Sequence, residues 1–162
     1  MTRRDDNHER PKPSAYEKAL GLLARREQSR RELGRKLGQK GYERDEADAA
    51  LDRLGEQRYQ DDERFAGMLV RNRASQGYGP VRIRMELRTH GVDDATVRQL
   101  LEEVDTDWHA SAAAQLRRRY GGKPASDHAE RAKRAQFLLR RGFSAATVRS
   151  VTHAEVDDAD DD

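Results

Sequence analysis

Apolar residues recur along this chain at helical spacing, and they do so in three copies. Setting Gly41, Gly91 and Gly142 in register aligns five columns. Leu37, Leu87 and Leu138 stand four residues before the glycine, and Tyr42, Val92 and Phe143 follow it directly. Ala47, Val97 and Val148 lie six residues after it; Ala50, Leu100 and Val151 lie nine after it. The period is 50 residues, then 51. Self-similarity at that length is the mark of tandem supersecondary units, each too small to bury its apolar face alone.

Each copy reads as three helices. In the first, Tyr16, Ala19, Leu20 and Leu23 follow i, i+3, i+4, i+7, one apolar stripe. Ser29-Arg30-Arg31-Glu32 is a capping-box pattern and predicts a second helix that buries Leu33 and Leu37. Gly41 ends it. Asp45 is the expected cap of a third helix carrying Ala47, Ala50, Leu51 and Leu54. In the second copy Asp61-Asp62-Glu63 opens a helix with Phe65, Ala66, Leu69 and Val70. Gly77-Tyr78-Gly79-Pro80 breaks the chain, with Gly79 at the N-cap and Pro80 at the first helical position. Ile83 and Leu87, then Val97, Leu100, Leu101 and Val104, continue the plan. In the third copy Trp108, Ala112 and Leu116 predict a helix ended near Gly121-Gly122. Asp127 opens the next, and Ser144 caps a short last one. The expected fold is all-α: an elongated, solenoid-like chain of nine helices in three tandem three-helix modules, at 14–60, 61–106 and 107–153. Tails at 1–13 and 154–162, the latter rich in aspartate, are expected to be disordered. A compact chain of this length has a radius of gyration of roughly 15 Å, and the expected value is clearly larger.

Composition sharpens the modular reading. Charged residues make up 38% of the chain and hydrophobic residues only 35%, too little apolar material for one thick core. Charge comes in blocks whose net values are +5 (15–41), −6 (42–63), +5 (64–90), −5 (92–107), +7 (116–141) and −5 (142–162). First and second helices are therefore basic and third helices acidic. The absence of cysteine excludes disulfides and thiolate zinc sites. No apolar run reaches the roughly 20 residues of a membrane span, and no apolar segment follows the first residues as in a secretory signal. These readings point to a soluble, cytoplasmic protein. His8, His90, His109, His128 and His153 form no metal motif and read as surface residues; no phosphate loop or nucleophile elbow is present. Helix capping accounts for Asp61-Asp62-Glu63 better than a metal cluster does. No cofactor or metal is expected, and nothing suggests an enzyme.

The basic faces are the candidate functional surface. They are dominated by arginine, whose guanidinium fork suits carboxylates and phosphates alike. The competing reading is that these helices neutralise the acidic helices of their own modules. Arg73 takes the register position of Leu23, so either its stem lies on the core with the head outward, or it pairs with a third-helix carboxylate. Tyr78 is either an exposed contact on the Gly77–Pro80 loop or a lid on the helix corner. Helices two and three of a module also read as a helix-turn-helix. Its would-be reading helix, however, carries Asp45, Glu46, Asp48, Asp52 and Glu56, which phosphate repels. Contact with single- or double-stranded DNA is therefore expected to be weak and without sequence specificity.

The sequence resembles the RecX family of bacterial recombination regulators. The matching text is Leu23-Ala24-Arg25-Arg26-Glu27, Ser29-Arg30-Arg31-Glu32-Leu33, Lys36-Leu37 and Lys40-Gly41-Tyr42 in the first copy. It continues through Asp61-Asp62-Glu63-Arg64-Phe65-Ala66, Gly77-Tyr78-Gly79-Pro80, Ile83, Glu86-Leu87 and Gly91-Val92, and closes with Arg140-Arg141-Gly142-Phe143. Gln60 stands where the family often has leucine. The resemblance covers about residues 15–152. It implies a monomeric protein without enzyme activity that lies in the helical groove of the RecA filament. There it would inhibit RecA's ATPase, strand-exchange and coprotease activities, and so restrain recombination and the SOS response. Joined to the charge pattern, it points to Arg25, Arg26, Arg71, Arg73, Tyr78, Arg82, Arg84 and Arg88 as partner-binding residues. The alternative is a nonspecific single-stranded-DNA-binding helical repeat that acts by masking DNA.

Overall fold

The computed structural model describes residues 10–158. Among them are nine helices and no strand: α1 (Ala15–Arg25), α2 (Arg30–Gln39), α3 (Arg44–Glu56), α4 (Asp62–Ser75), α5 (Pro80–Thr89), α6 (Asp94–Glu103), α7 (Trp108–Tyr120), α8 (His128–Arg140) and α9 (Ala145–Thr152). The chain divides into two compact units between Asp61 and Asp62. The first holds α1–α3; the second holds α4–α6 and α7–α9, two modules within one unit.

The repeat columns are the parts of one recurring helix ending. Gly41, Gly91 and Gly142 have φ of 85°, 77° and 93°, the left-handed conformation that costs glycine least. Each glycine donates its N–H to the carbonyl three residues back, and the following residue donates to the carbonyl of the column leucine. These bonds are Tyr42 to Leu37 (3.1 Å), Val92 to Leu87 (3.2 Å) and Phe143 to Leu138 (3.2 Å). This is the Schellman arrangement, in which the leucine and the residue after the glycine also meet as an apolar pair. The same ending closes α4, where Gly77 (φ 83°) donates to Ala74 and Tyr78 donates to Arg73.

Each ending hands the chain to the next helix within two residues. Glu43, Asp93 and Ser144, each two after its glycine, are the N-caps of α3, α6 and α9. Asp45 is therefore not the cap of α3. It lies in the first turn, where its charge still complements the helix dipole, and α3 has no side-chain cap bond. Its neighbour Glu46 serves α1 instead, accepting the Ala15 N–H at 3.1 Å. The predicted caps Ser29, Asp127 and Ser144 each accept a backbone N–H, and Gly79 and Pro80 take the predicted places in α5.

The first unit closes over Ala15, Ala19, Leu33, Leu37, Ala47, Ala50, Leu51 and Leu54. Gln60, in the leucine position, is buried there and donates to the Gln28 carbonyl at 3.3 Å. Gln28, also buried, donates to the Leu22 carbonyl and accepts from Lys36 Nζ at 2.6 Å, so both buried amides are served. In the second unit, Phe65, Leu69, Val70, Ile83, Leu87 and Val97 centre one cluster and Ala112, Leu138, Phe143 and Val148 the other. Trp108 packs against both. Full burial of one such leucine or phenylalanine is worth roughly 1.5–3 kcal/mol.

The ends differ in part from the expected tails. Residues 1–9 and 159–162 lie outside the described residues. Residues 10–13 and 154–158 lie outside helices, but they have partners. Lys12 donates to the Lys40 carbonyl at 2.9 Å, and Tyr42 donates to the Pro13 carbonyl at 2.6 Å. Ala154 is buried and Val156 packs on the α7–α9 cluster, while Arg149 binds the Val156 carbonyl and Asp158. These apolar residues give the start of the acidic segment a core to rest on.

Candidate partner-binding surface

Three of the eight candidate residues have their charge answered inside their own unit. Arg26 pairs with Glu32, which also receives Lys36 at 3.2 Å. Burial pushes the Glu32 carboxyl up, but bonds from Arg26 and Lys36 outweigh it and hold it below the ordinary range. Arg73 grips Glu86 with both edges of its fork: Nε to Oε2 at 2.8 Å and Nη2 to Oε1 at 2.7 Å. Its Nη1 reaches Gln76 at 3.2 Å. Glu86 belongs to α5, so the partner is a second-helix carboxylate and not a third-helix one. Residues on α4 and α5 face each other across the corner, which brings Arg73 over Glu86. The bidentate bond lowers the Glu86 pKa and raises that of Arg73. Arg88 pairs with Asp94 at 3.1 Å, both of them exposed.

Arg25, Arg71 and Arg84 form no salt bridge with the described residues. Arg25 and Arg71 are exposed. Arg84 lines a surface pocket together with Arg88, Arg98, Leu101, Glu102 and Trp108. Arg98 was not singled out by the sequence pattern, because it lies on an otherwise acidic third helix.

Tyr78 and Arg82 belong to a joint between the two modules of the second unit. The Gly79 N–H donates to the Arg141 carbonyl and the Val81 N–H to the Gly142 carbonyl, both at 2.9 Å. The last carbonyls after α8 thus satisfy donors at the start of α5, the two sets of groups that helix ends leave open. Arg141 also donates to the Gln76 carbonyl at 2.7 Å. Its guanidinium sits 4.0 Å from the Tyr78 ring centroid, and that of Arg82 sits 4.2 Å from the same ring. Tyr78 is half-buried, closer to the lid reading than to an exposed loop tip. Beside it runs a groove lined by Val81, Arg82, Met85, Leu139 and Arg140, together with Arg73 and Glu86.

Of the histidines, His90 is half-buried and packs its ring at a tilt of 56° against Phe65, with centroids 4.7 Å apart, so it is not a plain surface residue. Among the described residues no three His, Asp or Glu side chains stand together to hold a metal ion. No described helix is long and apolar enough to cross a membrane.

A chain of tandem three-helix modules, with backbone-locked corners and most of its arginines outside the cores, defines a helical repeat protein. Family models for the first, second and third three-helix domains of RecX match residues 15–54, 61–101 and 105–152. The chain therefore belongs to the RecX family of regulatory proteins. It is 47% identical over 142 residues to the regulatory protein RecX of Xanthomonas axonopodis pv. citri (strain 306), covering 88% of each chain. It is 46% identical over 142 residues to that of Stenotrophomonas maltophilia (strain K279a), covering 88% of this chain and 87% of the relative. A crystal structure of a regulatory protein RecX superposes with a TM-score of 0.68 at 25% identity, covering 86% of this chain and 70% of the other. The structure of RecX from Lactobacillus salivarius shares the fold, with a TM-score of 0.66 at 24% identity over 86% and 92% of the two chains.

Proposed function

We propose that this protein binds the RecA recombinase, a filament-forming ATPase on single-stranded DNA, and inhibits its ATPase, strand-exchange and coprotease activities. It thereby restrains recombination and the SOS response in the cytoplasm. The observation that carries this reading is family membership through all three domains, at 47% identity to a regulatory RecX protein. Its helical modules and arginine faces are compatible with several modest contacts to successive subunits of a filament, whose sum is tight. The residues best placed for contact are those that hold no salt bridge with the described residues: Arg25, Arg71 and Arg84 with Arg98, and Arg82 at the joint. Arg26, Arg73 and Arg88 contribute chiefly to the fold, since each already holds a carboxylate.

A second reading, masking of single-stranded DNA, draws on Trp108 beside Arg84 and Arg98, a ring for stacking next to cations for phosphate. Glu102 and Asp94 line the same pocket and oppose a phosphate there, which favours the protein partner.

The test is RecA ATP hydrolysis on single-stranded DNA, titrated with wild type and with an Arg71→Glu/Arg84→Glu double variant. Neither arginine holds a salt bridge with the described residues, so the helical circular dichroism is expected to stay unchanged. Wild type is expected to inhibit, and the double variant to need at least about tenfold more protein, a loss of ~1.4 kcal/mol. Equal inhibition by the folded variant would remove these arginines from the interface; no inhibition by wild type would remove the function.

A further inference from the structure

Met85 is 61% exposed, and with Tyr59 it is one of two large apolar side chains left exposed among the described residues. Its position is unusual for its helix. The buried residues of α5 are Ile83 and Leu87, and Met85 lies two from each, on the opposite face. There it meets a groove of about 720 Å³ whose apolar lining comes from Val81, Tyr78 and Leu139, a size typical of ligand-binding clefts. The groove crosses the joint between the two modules of the second unit. The Gly79–Arg141 and Val81–Gly142 backbone bonds therefore hold its walls before any partner arrives, which lowers the ordering cost of binding.

The electrostatics select the occupant. Arg73 and Glu86, which also line it, neutralise each other in a bidentate pair. Arg82 and Arg140 also line the groove, and neither forms a salt bridge with the described residues. The Arg82 guanidinium stacks on the Tyr78 ring. The groove thus combines an apolar lining, an adaptable thioether and two guanidiniums that hold no salt bridge with the described residues, although the Arg82 charge also acts on nearby Glu86.

We propose that this groove is a docking site for a segment of the protein partner in which a large apolar side chain is set among carboxylates. The apolar side chain covers Met85 and Leu139, and the carboxylates meet Arg82 and Arg140. The inference rests on the reading that the partner is RecA, and adds the place and chemistry of one contact.

The experiment is co-sedimentation with RecA filaments formed on single-stranded DNA. Wild type, Met85→Asp, Met85→Leu and Arg140→Glu are compared, with folding checked by circular dichroism. Met85→Asp and Arg140→Glu are expected to weaken binding at least tenfold, and Met85→Leu to stay within about twofold of wild type. Wild-type affinity in a folded Met85→Asp variant overturns the groove while leaving the proposed function standing. Failure of wild type to sediment overturns the proposed function itself. A photocrosslinking p-benzoylphenylalanine at position 85 provides a readout that does not need the aspartate variant to fold. Capture of a RecA peptide carrying an apolar residue flanked by Asp or Glu supports the proposal. Capture of a segment without carboxylates, or of the DNA, overturns it.

Discussion

Val81 donates its amide hydrogen to the carbonyl oxygen of Gly142 at 2.9 Å, joining the start of α5 directly to the chain that leaves α8. The approach is so close that no side chain fits between the backbones. A Cβ on Gly79 would stand 2.3 Å from the Gly142 oxygen, and one on Gly142 would stand 2.2 Å from Arg82 Cβ. The Gly77-Tyr78-Gly79-Pro80 segment is thus a coupling between modules as well as a helix break.

This coupling separates two glycines that share a register. Gly91 and Gly142 are both left-handed, at φ 77° and 93°, but Gly91 is exposed and Gly142 is buried in the joint. Gly91→Ala is expected to cost about 1–2 kcal/mol, the left-handed penalty alone. Gly142→Ala adds overpacking of about 1–3 kcal/mol. Urea unfolding followed by Trp108 fluorescence reports both, because both lie in the unit that holds Trp108. Equal losses would contradict the joint.

Tyr78 acts there through its ring. Two guanidiniums stack on it, and its hydroxyl forms no hydrogen bond with the described residues. Tyr78→Phe is expected to leave the melting temperature within about 2 °C of wild type. Tyr78→Ala removes the packing and both stacks, and is expected to cost about 2–3 kcal/mol. A large loss in the phenylalanine variant would show that the hydroxyl matters.

The three modules were legible in the sequence because the Schellman ending demands a leucine, a glycine and an apolar residue at fixed spacing. Those demands are local, so Leu37, Gly41 and Tyr42 announce them without tertiary information. The cap of α3 is less legible, because Glu43 makes no side-chain cap bond and Asp45, two residues on, is the residue type that favours a cap. The arginines were less legible. Charge blocks show that α4 and α5 are basic, but pairing depends on which side chains the corner brings together. Arg73 with Glu86, and Arg141 with Gln76 and Tyr78, are separated by 13, 65 and 63 residues along the chain. Met85 did leave a signal, an apolar residue off the Ile83–Leu87 stripe.

Acid should loosen the second unit through its carboxylates. Arg73 holds Glu86 below the ordinary value against the opposing effect of burial. Bonds from Ser126 and Arg134 bring half-buried Glu130 to about 2. Groups depressed in the folded state stabilise it above their unfolded pKa of about 4.3. That stability is lost as pH falls from there through the folded value. Melting temperature is therefore expected to fall between about pH 4.5 and pH 2. Glu86→Gln is expected to melt lower than wild type at pH 7, with the gap closing in acid. A gap that stays constant below pH 4 would contradict the Arg73–Glu86 account.

Adjacent aspartates at α6 have different roles. Asp93 Oδ1 accepts the Thr96 N–H at 2.7 Å as the N-cap, and Asp94 makes an exposed pair with Arg88. Asp93→Ala is expected to cost about 1 kcal/mol and Asp94→Ala no more than a few tenths. Urea unfolding measures the difference, and the reverse order would contradict the cap assignment.

The most direct test of the functional account is a fluorescence titration of labelled single-stranded DNA with this protein, with and without RecA and ATP, over a range of salt. A RecA-directed regulator is expected to bind the RecA–DNA filament at least about tenfold more tightly than the bare strand, with a shallower salt dependence than phosphate neutralisation gives. Equal binding to bare DNA and to the filament, with affinity falling steeply as salt rises, would contradict it and identify a DNA-masking protein.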